Sequence, residues 1–576
     1  MAAEDHDYED EAVKAASETI VEETDLGYQV FNAPDEAVLD QHDTDRIPRF
    51  DVTQEMLDEG GSNPESWLMF ANNYEAHRYT TADTITKDNV DDLELEYEMT
   101  VGANSSMEGS PIVVPGDPPV MYQSNGPSHV KAIDAREGEI LWSYTYPAPE
   151  DAVLCCDDNN RGVAVWEDKI YMTSLDSGVQ ALDRYTGEEL WYTSTADYKE
   201  GYSATWAPII YDGILFTGSA GGEYGVRGFH CAIDAETGEE LWRMNPCPEE
   251  EYIGDSIKQS GGTNWMTPTL DTERELLYFN VGNPSPDFNG TVRPGPNRNT
   301  CSTIAVDIHT GEIQWSHQES AHDIWDYDSA QMRMLLRDVE IDHLDYEGDV
   351  VYNAGKTSWT YTMHPDTGDL LVRGEPISQQ INFMKMVPHV DEEREYVMLP
   401  GLLGGQDWQP SSYDPNTGLC YHKVLNTPHS IEWRNEEYKP GEKFWGGVVD
   451  VEPDEENIPE GYNGHISAIA AVDPTTGQVV WRDWIDSDRY LWGGTMATAT
   501  GLLFAGTQNG NMVAYDSENG ERLWEFDLSD KAIAGDPVSW YDPETEKQYV
   551  AIQVGGSGFV GRGPRGDRLA VFSLEA

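Results

Sequence analysis

Two cysteines stand side by side in "VLCCDDNNRG", Cys155 and Cys156, in a chain with six cysteines in all. In an extended strand neighbouring side chains point to opposite faces, so one reading is a pair of free thiols. The other is a bridge between neighbours. Their Cα atoms lie about 3.8 Å apart across a trans peptide, below the usual ~4.4–6.8 Å of bridged cysteines, so such a ring distorts its peptide or makes it cis. Strain of order 1–4 kcal/mol is kept mainly at functional sites. On the pair alone both readings stand. No Cys-x-x-Cys-His occurs in the sequence, so it carries no c-type haem motif and any electrons must leave to a separate acceptor.

The elements that must position such chemistry announce themselves as a repeat, Ala-x-Asp-x-x-Thr-Gly followed after three residues by Trp. It occurs as "AIDAREGEILW" (132–142), "ALDRYTGEELW" (181–191), "AIDAETGEELW" (232–242), "AVDIHTGEIQW" (305–315), "AVDPTTGQVVW" (471–481) and "AYDSENGERLW" (514–524). Two worn copies, "TMHPDTGDLLV" (362–372) and "SSYDPNTGLCY" (412–422), fill the central gap and bring the count to eight. The pattern is that of a hairpin. Asp caps the turn by accepting backbone N–H bonds, Gly supplies a positive φ, and the second strand runs to a Trp large enough to dock on a neighbour. Alternating segments such as "GILFTGS" and "GLLFAGT" read as further strands. Short four-stranded units repeating every ~40–70 residues predict an all-β, eight-bladed β-propeller with tryptophan-docking motifs, over residues 61–576.

The chain is very acidic, with 106 Asp and Glu against 35 Lys and Arg, a net charge of −71. Phosphates would be repelled, which excludes nucleic acid as a partner. The acids are spread along the whole length, so self-repulsion in dilute buffer should destabilise the folded state. Molar salt shortens the Debye length to ~3 Å and screens it, so the composition reads as that of a halophile's protein. Residues 1–60 begin "MAAEDHDYEDEAVKAASETIVEETD" and read as an acidic, partly disordered arm without the features of a signal peptide. No run of 18 apolar residues predicts a transmembrane segment.

From about Trp67 to the C-terminus the sequence resembles the quinoprotein alcohol dehydrogenases, eight-bladed propellers that hold pyrroloquinoline quinone (PQQ) and a metal ion on the axis. "NNYEAHRYTTADTITKDNVDDLELEYEM" looks like that family's opening segment, and "CCDDNNRG" matches its vicinal-disulfide segment. The resemblance therefore implies a bridge between Cys155 and Cys156, forming a flat lid over one face of the quinone. Further matches follow in order: Glu108 in "MEGSP", Arg161 in "NNRG", Thr205 in "ATWAP", Glu223 in "SAGGEYGVRG" and Trp265 in "GGTNWMTP". After them come Asn283 in "VGNPSP", Asp326 and Asp328 in "HDIWDYDSA", Lys356 in "NAGKTSW", Asn426 in "VLNTPH" and Trp492 in "WGGTMATA".

By this resemblance Trp265 stacks under the cofactor, Arg161 and Lys356 meet its oxygens, and Glu108, Thr205, Asn426 and Trp492 complete the hydrogen-bonding ring. Glu223, Asn283 and Asp326 offer hard oxygens, which suit calcium or another hard cation and not zinc. Asp326 would be the general base for an alcohol proton. Calcium-type methanol dehydrogenases have a small residue two positions after that Asp. Here Asp328 stands there, and in this family an acid at that position marks the lanthanide-dependent branch, so lanthanide is favoured over calcium. An extended segment would turn Asp326 and Asp328 to the same face. "IQVGGSGFVG" lacks a Trp that methanol and ethanol enzymes place near the substrate, hinting at a wider pocket.

The implied partners are an alcohol and a separate soluble or membrane electron acceptor, with room for a homo-oligomer. The chain is either cytoplasmic or an exported mature form whose signal was removed, extracellular or at the cell surface, and a strained disulfide would favour the second. The alternative is a non-catalytic propeller of the same repeat family, which would have lost Trp265, Asp326, Lys356 and the cysteine pair.

Overall fold

The computed structural model describes residues 28–29, 36–102, 106–392, 396–487, 489–490, 492–528, 531–556 and 566–574. Among them are eight sheets of at least four strands, antiparallel except where Tyr79–Thr80 pairs parallel with Thr495–Thr498, and taken up by the chain in order. Blade 1 comprises Ile112–Val114, Val120–Asn125, His129–Asp134 and Glu139–Thr145. Blades 2 to 5 follow over 164–194, 209–244, 269–318 and 334–373, and blades 6 and 7 over 412–485 and 495–527. Blade 8 is built from both ends of the domain: Val538–Asp542, Lys547–Val554 and Arg568–Leu574 are completed by Leu93–Thr100, paired antiparallel to Arg568–Leu574. Closing a sheet with strands from both ends locks the ring.

The repeat explains how the blades meet. Each Asp caps its own turn, as Asp307 does by accepting from His309 N (3.0 Å) and Thr310 N (2.9 Å). Each Trp reaches the turn of the following blade. The indole N–H of Trp142, Trp191, Trp242, Trp315 and Trp481 donates to the carbonyl of Arg184, Ala235, Ile308, Pro365 and Ser517, one position after the capping residue. Gly311 has φ +73°, and a Cβ there would stand 2.7 Å from the Trp242 ring, so the glycine serves both the turn and the docking.

Two junctions lack the signature. In blade 5 the Trp position is Val372, which packs on Gly477, while Thr362 Oγ1 donates to Pro474 O at 2.6 Å. In blade 8 Tyr97 takes the part of Trp: its ring covers Gly138 and its hydroxyl donates to Ala135 O at 2.9 Å. With Trp524 donating to Leu93 O, eight junctions form a closed ring.

The worn copy at 412–422 is not one of these junctions. It is the first hairpin of blade 6, joining Ser412–Asp414 to Leu419–Leu425, and nothing stands within 4 Å of a Cβ at Gly418. The eighth blade comes from terminal closure, which contains no such turn.

The expected boundary at residue 61 falls inside packed structure. Val38–Gln41 adds a fifth strand to the outer edge of blade 1, and Ile47, Val52 and Leu57 enter the hydrophobic core. The helix Gln54–Glu59 is capped by the Thr53 hydroxyl. Upstream of residue 36 only Tyr28–Gln29 is described, paired with Val153–Leu154 beside the cysteines; the rest of the expected acidic arm lies outside the described residues.

Candidate active site

One register places the site. In each blade the first strand is innermost, so the residues just before it meet near the axis on one face. Those lead-in segments supply Glu108, Arg161, Thr205, Trp265, Asp326 with Asp328, Asp407 with Trp408, Trp492 and Asp536, from blades 1 to 8 in turn. Loops leaving the second strand open on the same face and bring Glu223 and Lys356. Neighbouring lead-ins are stitched together: Ser110 N donates to Arg161 O (3.0 Å) and Arg161 N to Thr205 O (3.2 Å). The Arg161 guanidinium donates to Glu108 Oε2 at 2.6 Å and Thr205 Oγ1 at 3.0 Å. It lies 5.4 Å from the Trp265 ring centre and 5.0 Å from that of Trp408, which stacks on Trp492. Cys155 and Cys156 are bridged across a Cα–Cα spacing of 3.7 Å, the spacing of a trans peptide.

The cavity floor is acidic. Lys356 Nζ donates to Asp326 Oδ2 at 3.1 Å and to Asp328 Oδ2 at 3.0 Å, and stands 3.9 Å from Asp407. Asp326 has φ +63°, in the left-handed region, and the preceding turn is held by Asp323, whose carboxylate accepts from Trp325 N and Tyr327 N. The two acids therefore meet at one ammonium through a turn and not through an extended segment. The other oxygen of Asp328 accepts from Asn283 N.

Burial first, then the charges of Asp328, Asp287 and Glu223, pushes the Asp326 carboxyl well above the usual range against the pull of Lys356. Burial would lower the Lys356 ammonium, but Asp326, Asp328 and Asp407 outweigh it and hold the group protonated. Burial carries Glu223 and Asp407 up to about 6. A cavity so rich in buried carboxylates either binds a cation or takes up protons.

Residues 67–381 match the family model of the glucose/ethanol/alcohol dehydrogenase β-propeller domain, a PQQ family. The chain belongs to the PQQ-dependent dehydrogenases. It is 32% identical to quinohemoprotein alcohol dehydrogenase ADH-IIG of Pseudomonas putida, covering 86% of this chain and 73% of that one. It is 31% identical to methanol dehydrogenase [cytochrome c] subunit 1 of Methylorubrum extorquens, covering 88% and 86%. The structure of a europium-containing methanol dehydrogenase superposes with a TM-score of 0.83 at 28% identity, over 90% of this chain and 100% of that one. Residues 466–559 also match a model described for the outer membrane protein assembly factor BamB, which fits a shared propeller repeat.

Of the residues that likeness to the PQQ dehydrogenases had singled out, Glu108, Cys155, Cys156, Arg161, Thr205, Glu223, Trp265, Asp326, Asp328, Lys356 and Trp492 line one cavity. Asn283 lies beside them, buried, with its backbone on Asp328 and its Oδ1 near Gly222. Asn426 does not line the cavity. Its Oδ1 accepts from Gln379 N (2.8 Å) and its amide donates to His465 O (2.7 Å), so it ties two loops together. Sequence reasoning missed Asp287, Asp407, Trp408 and Trp445, all in the cavity wall. Only Trp408 carried a signal, because it precedes a first strand as Trp265 does. The C-terminal stretch expected to widen the pocket lies largely outside the described residues.

The donor set fits a planar polyanion with a hard cation. Arg161 Nε and Trp492 Nε1 are buried donors without hydrogen-bond partners, and Asp326 Oδ1 and Asp407 Oδ1 are buried acceptors without hydrogen-bond donors. Such groups are costly unless a ligand completes them.

Proposed function

We propose that this chain oxidises an alcohol to the aldehyde with PQQ and one hard cation held in the axial cavity, and passes the electrons to a separate acceptor. What carries the reading is the convergence of Arg161, Lys356, Trp265, the cysteine bridge and the Asp326–Asp328 pair in a single cavity of a chain belonging to this family. When bound, PQQ supplies a two-electron acceptor whose carbonyl a neighbouring cation makes more electrophilic.

The chain's own groups do the rest. Arg161 and Lys356 meet anionic oxygens of the cofactor, and Trp265 and the cysteine ring offer it flat apolar faces. Glu108, Thr205 and Trp492 add hydrogen bonds at the rim. Glu223, the Asn283 amide, Asp326 and Asp328 offer hard oxygens to the cation, lanthanide in preference to calcium because Asp328 adds negative charge. Asp326 takes the alcohol proton on Oδ1, its buried unpaired oxygen, while Lys356 fixes Oδ2. The methanol dehydrogenase relative is named for cytochrome c, which favours a redox protein as acceptor here. A bridged cysteine pair favours an exported protein in an oxidising compartment. No helix among the described residues is long and apolar enough to cross a membrane.

The test is reconstitution in molar KCl with PQQ and either lanthanum or calcium, followed by dye reduction with a panel of alcohols. Turnover dependent on PQQ and metal supports the reading; no turnover with any alcohol refutes it. The scaffold alternative is disfavoured because Trp265, Asp326, Lys356 and the cysteine pair are all present.

A further inference from the structure

We propose that Asp287 is a further carboxylate facing the cation of this site, and that it biases the site toward a trivalent ion. This rests on the metal- and PQQ-dependent reading above. Asp287 lies in "VGNPSPDFNG", the loop after strand Leu276–Val281 of blade 4, and lines the same cavity as Glu223, Asp326 and Asp328. Its main chain is pinned. Arg293 donates to Pro286 O (2.8 Å) and Asp287 O (2.9 Å), and Phe288 N donates to Trp445 O (2.9 Å). The side chain is treated quite differently. The residue is 2% exposed, and Oδ1 is buried without a hydrogen-bond partner.

No Lys, Arg or His stands within 4.0 Å of its carboxylate among the described residues, whereas Arg161 has Glu108 and Lys356 has Asp326 and Asp328. A buried carboxylate oxygen with no donor is costly, and Arg293, Lys356 and Lys443 act on this carboxylate only through space, with no ion-pair contact among the described residues. The charges of Glu223, Asp328 and Asp326 all reach it, so a cation placed among those three acids would answer Asp287 as well. An added negative charge favours every cation, but by an energy proportional to the ion's charge. The higher-charged ion gains more.

The probe is terbium chloride added to the full-length, metal-free protein in molar KCl, read by tryptophan-sensitised emission and by competition with calcium. Molar salt suppresses loose binding to surface acids. If Asp287→Asn weakens terbium about a hundredfold, calcium should weaken only about twentyfold, the two-thirds power expected from the charge ratio. Asp287→Glu should retain the terbium preference. Because Asp287→Asn removes an unpaired buried charge, the metal-free variant should melt no lower than wild type, and terbium should raise its Tm less.

Terbium and calcium affinities both within twofold of wild type would overturn the proposal. So would equal losses for both ions, or an unchanged metal affinity with a selective loss of turnover on cationic alcohols, which would turn Asp287 toward substrate. A wild-type protein that binds no terbium overturns the metal reading itself, an outcome distinct from failure of the variant comparison.

Discussion

Asp326→Asn isolates the proton acceptor with little else disturbed. Asparagine tolerates the left-handed backbone at this position (φ +63°), keeps the volume and keeps one oxygen. Lys356 still has Asp328 at 3.0 Å, so the ammonium is not orphaned and the fold should hold. What is lost is the basic oxygen Oδ1, buried and unpartnered in the cavity wall, together with one negative charge beside the cation. A positioned general base contributes about 10²–10⁴-fold, or ~2.7–5.4 kcal/mol of barrier. The assay is dye reduction at saturating alcohol in molar KCl, with PQQ retention checked by absorbance and folding by Tm. Turnover should fall by at least about a hundredfold while PQQ stays bound. A folded variant that holds PQQ and metal yet keeps more than about a tenth of wild-type turnover would show that another group takes the proton.

Asp407→Asn should make the metal-free protein more stable at neutral pH and leave it unchanged near pH 4. The folded-state carboxyl sits at about 6 against an ordinary 3.8, so the folded state holds the extra proton. The cost of ionising it is absent below ~4, grows through pH 4–6 and is complete above, at about 3 kcal/mol for roughly two units. Melts at pH 4 and pH 7 measure it, and a difference that does not grow with pH refutes the assignment. With 71 excess negative charges, Tm should rise steadily from 0.1 to 4 M KCl, and a flat response would remove the argument for a salt-adapted surface. Lanthanum or cerium should activate the apo-enzyme better than calcium, and Asp328→Ala should lose the lanthanide response while keeping any calcium response. Calcium alone giving full activity in both proteins would reduce Asp328 to one more acid.

Much of the propeller was legible because docking has a rigid chemical signature. A capping Asp, a turn Gly and a Trp must recur at fixed spacing for the indole to reach the next carbonyl. Where the job is done by other chemistry the signature vanishes. Tyr97 supplies a hydroxyl in place of an indole N–H, and Thr362 with Val372 divides the task between two side chains. Conversely, "SSYDPNTGLCY" carries Asp, Asn and Gly because any tight hairpin needs them, whether or not a neighbour docks on it. Turn chemistry is local, and docking is not. The same distinction governs the segment 38–60, whose acids hid the few apolar residues, Ile47, Val52 and Leu57, that hold it to the core.

The site was legible from the adjacent cysteines, from a Trp in a glycine-rich stretch and, for residues such as Glu108, Arg161, Asp326 and Lys356, from the order of motifs shared with the family. It was illegible where the needed residue is the commonest kind. Asp287 and Asp407 are two of 106 acidic residues, and neither composition nor spacing separates a buried carboxylate from a solvated one. The difference lies in the ring. Lead-ins and second-strand loops from sequence-distant blades bring carboxylates together in a buried cavity, away from the salt that screens their counterparts on the surface. There the charges are answered by Arg161, by Lys356 and by either protons or a bound cation. The acids outside meet solvent and salt, while those inside are the ones we propose to hold a metal. Leu93–Thr100 completes blade 8 and carries Tyr97 and Leu93, which dock it on blades 1 and 7, so fold closure and cation binding should be lost together when that strand is disrupted.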